Sequence, residues 1–253
     1  MNRVLVAAAM LLPATYLVLW GPSLLFLAAA ATVGALCYWE FAALSRHYGA
    51  DPPLVLGIVV GAGFVMAPRV DLVVVLVCVA AGMALLLYTR PAASVWPGTA
   101  ALAFGLVYCF LPWRSAVALR EISPFWLVYA LSINWVGDAA AYYAGRAFGR
   151  HKLAPSISPG KTWEGTVASA LASVLGGLAL MHFAGLGTAP WRIAALGLVA
   201  NVAGQVGDLA ESALKRGASV KDSGSMLGSH GGWLDRVDAS LFTLPVVHAW
   251  IGL

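Results

Sequence analysis

Long apolar runs, bounded by charged residues, glycine or proline, recur along almost the whole chain. A helix needs about 20 mainly apolar residues to cross the hydrocarbon core of a bilayer, and about nine runs are candidates. Hydrophobic residues make up 61% of the sequence and charged residues 10%, whereas soluble domains average about 45–50% and about 25%. A single soluble core could not bury this excess of apolar residues. The sequence therefore predicts an all-α polytopic membrane protein.

The predicted transmembrane helices follow one another with short connections. They cover Val4–Trp20, Ser23–Leu44, Leu54–Ala67, Val70–Tyr88, Ala93–Leu111, Pro124–Gly145, Thr166–Phe183, Trp191–Ser212 and Val237–Ile251. The third is short and the fifth contains Pro97, so a re-entrant segment is the alternative for both. The first follows Met1-Asn2-Arg3 directly. We interpret it as a transmembrane helix rather than a signal peptide, because more spans follow and no small-residue cleavage site leads into a soluble domain.

The basic residues are distributed unevenly between the predicted loops. With a cytoplasmic N-terminus and nine spans, 11 of the 15 Lys and Arg residues fall on the inner side and 4 on the outer side. The positive-inside rule then predicts an N-in, C-out arrangement. The two longest polar loops, 146–165 and 213–236, face the cytoplasm in this arrangement. We expect a multi-pass protein of a bacterial-type inner membrane, with a site formed by these two cytoplasmic loops.

Polar residues are concentrated in the second half of the chain. We divide it into N-terminal transmembrane helices, residues 1–120, and a C-terminal catalytic transmembrane region, residues 121–253. Glu40 is the polar exception in the first region, and a structural or interfacial role is favoured over a catalytic one. The net charge of +4 and the pI near 9.1 favour anionic partners such as phospholipid headgroups or nucleotide phosphates. The short basic loops argue against nucleic acid.

Two acidic residues stand out inside predicted spans, Asp138 and Asp208. Each ionisable residue at a helix centre costs roughly 2.5–3.5 kcal/mol on insertion scales, and such residues are usually functional. Helical spacing places Asp138 on one face with Tyr142 and Arg146. The alternative is a pair of interfacial carboxylates that form salt bridges with nearby bases.

The loop between the last two predicted spans combines basic, acidic and glycine residues with a histidine. Lys and Arg can hold phosphates, glycine backbone can approach them closely, and carboxylates can fix a divalent cation. Asp235 and Asp238 are three residues apart at the start of the last predicted span, where they could face one site. A plain N-cap is the alternative for Asp235.

The residues of this loop also carry a resemblance to a known family. The pattern is Ser212-x2-Lys215-Arg216-x4-Lys221-Asp222-x-Gly224-x2-Leu227-x2-His230-Gly231-Gly232-x2-Asp235-Arg236-x-Asp238. It resembles the motif of the phosphatidate cytidylyltransferases (CDP-diacylglycerol synthases), and every fixed position is filled. Gly228 stands where many members have proline. A second segment, residues 138–165, is similar to the family's other cytoplasmic motif, with Gly160 where a lysine is common.

The resemblance implies the reaction CTP + phosphatidate → CDP-diacylglycerol + pyrophosphate, supported by Mg²⁺, with a second cation left open. Asp208 and Asp235 are the leading metal ligands and are also catalytic candidates. Two further catalytic candidates are Lys221, expected to contact a phosphate, and His230, expected to contact a phosphate or the metal shell. Second-rank candidates for the metal are Asp138, Glu211, Asp222 and Asp238. The predicted substrate-binding residues are Ser158, Lys161, Thr162, Lys215, Arg216 and Arg236.

Other functions remain as alternatives. Gly160-Lys161-Thr162 looks like the end of a P-loop, but Pro155 stands where that motif needs glycine, and we expect no strand before it. A small transporter would also place charges in spans, but it predicts charges in both leaflets and an inverted repeat. A cytidylyltransferase for another lipid phosphate is the remaining alternative. The partners expected are CTP, phosphatidate and membrane lipids, and a homodimer is left open.

Overall fold

The computed structural model describes residues 13–228 and 231–252. Within this part of the chain, residues 13–19 are helical and eight longer helices follow, with one β-hairpin. The elements are α1 (Ser23–Arg46), α2 (Leu54–Met66), α3 (Leu72–Thr89), α4 (Ala92–Ile122), α5 (Pro124–Phe148), β1 (Lys152–Ala154), β2 (Ser158–Thr162), α6 (Trp163–Ala184), α7 (Pro190–Gly217) and α8 (Leu234–Ile251).

Helices α1 to α8 agree with the eight predicted apolar runs from Ser23 onward, apart from their exact ends. Residues 4–12 of the first predicted run lie outside the described residues. Among the described residues, α1, α3, α4, α6 and α7 are long and apolar enough to cross a membrane, and α2 is a shorter apolar helix. The re-entrant alternative for the fifth run does not hold, because α4 continues through Pro97 and Pro112 for 31 residues. The result is a helical protein with several segments suited to membrane spans.

Aromatic and glycine residues organise the packing of the N-terminal helices. Tyr38 on α1 and Phe110 on α4 are fully buried, with their ring centroids 5.6 Å apart. Gly57 and Gly61 on α2 lie so close to these two rings that an added Cβ would collide with them. In contrast, α3 exposes most of its large apolar side chains, as expected of a helix that faces lipid.

Polar contacts connect the helices of the C-terminal region. Asn201 on α7 donates to the hydroxyls of Ser169 and Ser173 on α6, both at 2.9 Å. Thr243 on α8 donates to Asn134 on α5 at 2.9 Å. Small residues and interhelical hydrogen bonds of this kind hold helices together where lipid removes the hydrophobic driving force. They fix α5 to α8 as the frame of the site.

The polar loop between α5 and α6 contains a feature that the sequence did not predict. Strands β1 and β2 form an antiparallel hairpin in which Lys152 pairs with Thr162 and Ala154 with Ser158. The expectation of no strand beside Gly160-Lys161-Thr162 is therefore wrong, because this loop lies outside the apolar helices and pairs its backbone with itself. The hairpin places Ser158 and Lys161 next to α6.

Candidate functional site

A cavity lined by polar and charged residues lies between α5, β2, α6 and α7. Its volume is about 510 Å³. Five of the predicted site residues line it, namely Asp138, Ser158, Lys161, Thr162 and Asp208. Tyr142 and Arg146 line it as well, which confirms that they share one helix face with Asp138. The structure thus brings the motif of residues 138–165 together with the acidic part of α7.

An ion pair crosses this cavity. The Nζ atom of Lys161 lies 2.7 Å from Oδ2 of Asp208, and their side chains are 24% and 33% exposed. The other oxygen of Asp208 accepts a hydrogen bond from Ser212 at 3.3 Å. Both charged groups therefore remain open to the cavity, where a substrate could compete for either one.

The hairpin that carries Lys161 is held at its base. Nδ1 of His151 lies 2.7 Å from Oε1 of Glu164, and the backbone N–H of His151 also donates to the Glu164 carboxylate. The hydroxyl of Thr162 accepts from the N–H of Gly165 at 3.2 Å, so this predicted substrate residue is the N-cap of α6. These contacts fix β2 relative to α6.

Gln205 is a cavity residue that sequence reasoning missed. It lines the cavity and donates to Oδ1 of Asn201 at 2.6 Å. The available signal was the spacing of Asn201, Gln205 and Asp208, which places three polar residues on one face of an otherwise apolar span.

Asp235 and Lys215 lie in a second, more enclosed cluster. Nζ of Lys215 is 2.5 Å from Oδ1 of Asp235 and 2.5 Å from Oε2 of Glu211. The side chains of Lys215, Asp235 and Glu211 are 12%, 5% and 0% exposed. Lys215 was predicted to contact phosphate, but in this structure its ammonium group is occupied by two buried carboxylates.

The second oxygen of Asp235 accepts three hydrogen bonds from the protein. The donors are the N–H and the hydroxyl of Ser223, both at 2.9 Å, and the N–H of Gly232 at 2.8 Å. Asp235 is not the N-cap of α8, because Trp233 holds that position. Instead its carboxylate reaches back from the first turn and orders the preceding loop.

Two glycines of this loop make room for carboxylates. Gly231 has a φ of +77°, and an added Cβ would lie 2.6 Å from Oδ2 of Asp235. A Cβ on Gly232 would collide with Glu40. The sequence predicted that these glycines allow close approach to phosphates, whereas in this structure the groups that approach them are Asp235 and Glu40.

The remaining predicted residues lie around these two clusters. The guanidinium of Arg216 donates to the carbonyl of Ile157 at 3.4 Å and to that of Val220 at 3.2 Å, so it connects the two polar loops. Lys221, Asp222 and Arg236 are exposed. His230 lies outside the described residues.

The acidic residues of the cavity suit a cation, although they do not form a ready-made metal cluster. Within residues 13–228 and 231–252, no three His, Cys, Asp or Glu side chains are grouped as metal ligands. Asp138 and Asp208 nevertheless both line the cavity, whereas Asp238 at the start of α8 does not. A bound cation would relieve the repulsion between two neighbouring carboxylates.

Comparison with known proteins gives a consistent result. The model of the cytidylyltransferase family matches residues 1–253. The chain is similar to the phosphatidate cytidylyltransferase of Brucella suis biovar 1, with 44% identity over 164 residues, or 62% of this chain and 58% of the relative. It is also similar to the phosphatidate cytidylyltransferase of Staphylococcus aureus strain COL, with 42% identity over 123 residues, or 49% of this chain and 47% of the relative. The alignments thus span about half the length of these relatives.

Proposed function

Because the chain belongs to the cytidylyltransferase family, we propose that it transfers CMP from CTP to phosphatidate and produces CDP-diacylglycerol and pyrophosphate. The names of its relatives support this reaction. The observation that carries it is the cavity that Lys161 and Arg146 line together with Asp138 and Asp208. Cationic groups for phosphates and carboxylates for a cation meet there at one end of the helices.

The proposed reaction does not need a strong general base from the protein. The second pKa of a phosphate monoester is about 6, so the attacking oxygen of phosphatidate is already largely anionic at neutral pH. The barrier comes from the approach of two anions and from the charge that develops on the leaving pyrophosphate. The protein must therefore supply positive charge and hold the two substrates in line.

Lys161 and Arg146 are the residues that we assign to the phosphates. In this structure Lys161 pairs with Asp208, and Arg146 donates to the hydroxyl of Tyr142 at 3.2 Å. Both contacts are partly exposed and can be exchanged for contacts with phosphate oxygens. Ser158, on the same strand as Lys161, adds a hydroxyl to the cavity.

We propose Asp208 and Asp138 as the residues that hold a divalent cation in the cavity. A cation such as Mg²⁺, when bound, neutralises phosphate oxygens and stabilises the leaving group. Asp208 and Asp138 offer carboxylate oxygens on the cavity wall. Asp235 is the other leading candidate. To bind a cation, its carboxylate must give up its contact with Lys215 or with one of its backbone N–H donors.

We further propose that the cavity faces the cytoplasm of a bacterial cell and that the helices lie in the inner membrane. The excess of basic residues in the loops next to the cavity supports this orientation. It gives CTP access from the cytoplasm, while phosphatidate reaches the same cavity from the bilayer.

An assay of the purified protein tests the proposed function. The protein in detergent micelles is supplied with CTP, Mg²⁺ and phosphatidate, and pyrophosphate release is followed together with the lipid product. We expect turnover that requires both substrates and that is lost in Asp208→Asn. A diacylglycerol without the phosphate is the matched negative control, and other lipid phosphates compare the acceptors. Absence of pyrophosphate with every lipid phosphate would overturn the proposal.

A further inference from the structure

Glu40 connects the N-terminal helices to the loop before α8. It lies on α1 and is only 2% exposed. Its Oε1 accepts from the N–H of Trp233 at 3.0 Å, and its Oε2 accepts from the N–H of Leu234 at 2.9 Å. The hydroxyl of Ser223 lies 2.8 Å from Oε2 and shares its one proton between Glu40 and Asp235. These partners are 183 to 194 residues away in sequence.

The surroundings of Glu40 are built to receive this carboxylate. The first N–H groups of a helix lack partners within the helix and carry partial positive charge. Glu40 provides the acceptor for two N–H groups at the start of α8. Gly224 and Gly232 face it without a side chain, since an added Cβ on Gly224 would lie 2.6 Å from Oε1 and one on Gly232 would collide with the carboxylate. A buried carboxylate is tolerated only when donors such as these compensate for lost water.

Ser223 links Glu40 to the acidic cluster of the site. Its hydroxyl lies 2.8 Å from Oε2 of Glu40 and 2.9 Å from Oδ2 of Asp235. Asp235 in turn binds Lys215. The chain of contacts therefore runs from α1 through the loop to α7.

We propose that Glu40 is a positioning residue for CMP transfer, which acts by holding residues 223–234 so that Asp235 and Lys215 are correctly oriented. This proposal rests on the proposed function for its activity readout. It assigns to a residue of the N-terminal helices a role in the reaction, and it makes those helices part of the active unit rather than a membrane anchor alone.

Glu40→Gln is the test variant, because it keeps the shape and replaces one acceptor oxygen by an amino group that faces N–H and O–H donors. We expect kcat for pyrophosphate release to fall about tenfold or more, while the KM for CTP changes less than about threefold. The KM is expected to hold because the cavity around Lys161 does not touch Glu40. Glu121→Gln is the matched control, since Glu121 is 66% exposed and pairs with Arg114 only at 3.9 Å. It should leave both constants unchanged.

A purely structural role gives a different result. Glu40→Gln would then lower the melting temperature, while the folded fraction would keep the parent kcat, and this outcome would overturn the proposal. Ser223→Ala is the second variant in case Glu40→Gln fails to fold, because it retains the two backbone contacts of Glu40. We expect it to lower kcat as well. The double variant should be no slower than the slower single variant, since both act on the same contact.

Hydrogen exchange separates this proposal from the proposed function. In Glu40→Gln, the amides of Trp233 and Leu234 should exchange faster than in the parent protein, while amides in the middle of α6 keep the parent rate. This measurement needs no substrate, so it remains valid if the parent protein shows no turnover with CTP and phosphatidate. Unchanged exchange at both amides would contradict the positioning role by itself.

Discussion

Asp208 and Asp235 differ in how far the protein itself satisfies their charges. Asp208 has one lysine, one weak hydroxyl contact and a side chain that is 33% exposed. Asp235 has a buried lysine and three further donors, and its side chain is 5% exposed. Carboxylates with such different surroundings should respond differently when their charge is removed.

We therefore expect Asp208→Asn and Asp235→Asn to separate activity from stability. Both should lose most turnover, as expected of ligands or close supports of the reacting groups. Asp208→Asn should keep the parent melting temperature. Asp235→Asn should lower it, because removing one partner of a buried ion pair typically costs about 3–5 kcal/mol. Thermal unfolding in detergent, measured beside the CTP assay, checks this, and near-normal turnover of both variants with Mg²⁺ would contradict their assignment.

The two lysines of the polar loops give a second prediction at this scale. Lys161 lines the cavity, whereas Lys221 is exposed in the loop before α8. If Lys161 binds the triphosphate, Lys161→Met should raise the KM for CTP about tenfold or more. The same measurement on Lys221→Met tests the phosphate contact proposed for that residue. Unchanged KM and kcat would remove Lys221 from the site.

The sequence predicted individual site residues better than their partners. Asp138 and Asp208 were conspicuous because charge is costly in an apolar span, and Ser158, Lys161 and Thr162 belong to a recognisable motif. The contacts of Glu40 were not predictable, because a hydrogen bond between residues 40 and 234 depends on how helices pack. The same holds for Lys215, whose carboxylate partner Asp235 lies 20 residues away.

At the scale of elements, the hairpin of β1 and β2 determines where Lys161 lies. Its short strands include Pro159 and Gly160, which are depleted in strands, so local propensity gave no indication of it. The helices were predictable because apolar runs of the required length leave few alternatives in a bilayer. The hairpin instead depends on His151 and Glu164, which fix its base to α6.

This dependence predicts the effect of Glu164→Ala. Without the carboxylate, the N–H and the ring of His151 lose their acceptor and the hairpin loosens. We expect the KM for CTP to rise about three- to tenfold, with little change in melting temperature, because surface ion pairs contribute about 0–1 kcal/mol. Glu121→Ala, which also removes a surface glutamate, is the control in the same assay. An unchanged KM for Glu164→Ala would show that the hairpin keeps Lys161 in place without this contact.

At the scale of the whole molecule, contacts between distant segments sort the loops into two groups. Asp51 pairs with Arg46 and Arg90, Tyr48 donates to the carbonyl of Leu214, and Arg216 reaches Ile157. The second group is separate. Arg114 donates to the carbonyl of Pro68, and Arg120 to the carbonyls of Val18 and Gly21.

These two groups match the inner and outer loops that the positive-inside rule assigns. The first group lies at the end of the molecule that holds the cavity, because it includes Ile157 of the hairpin. The predicted inner loops carry 11 of the 15 Lys and Arg residues. Which end is cytoplasmic is predicted from the sequence alone, through the distribution of Lys and Arg. Which loops lie at the same end is shown by the contacts of the folded chain.

Cysteine labelling tests this orientation. Cys37 and Cys109 are fully buried, so replacing Cys78 alone should give a background of low reactivity. Ser156 and Ser225 are both exposed at the cavity end. The variants Ser156→Cys and Ser225→Cys should react with a membrane-impermeant maleimide only after the membrane is permeabilised. Thr188→Cys, between α6 and α7, should react in intact cells, because α6 crosses the membrane once after the hairpin. Leu253, outside the described residues, is predicted to lie on that outer side as well.

Labelling of Ser225→Cys in intact cells would reverse the orientation and would remove the cytoplasmic route for CTP. Labelling of Ser156→Cys and Ser225→Cys from opposite faces would contradict the contact between Arg216 and Ile157, and with it the common site of the two loops.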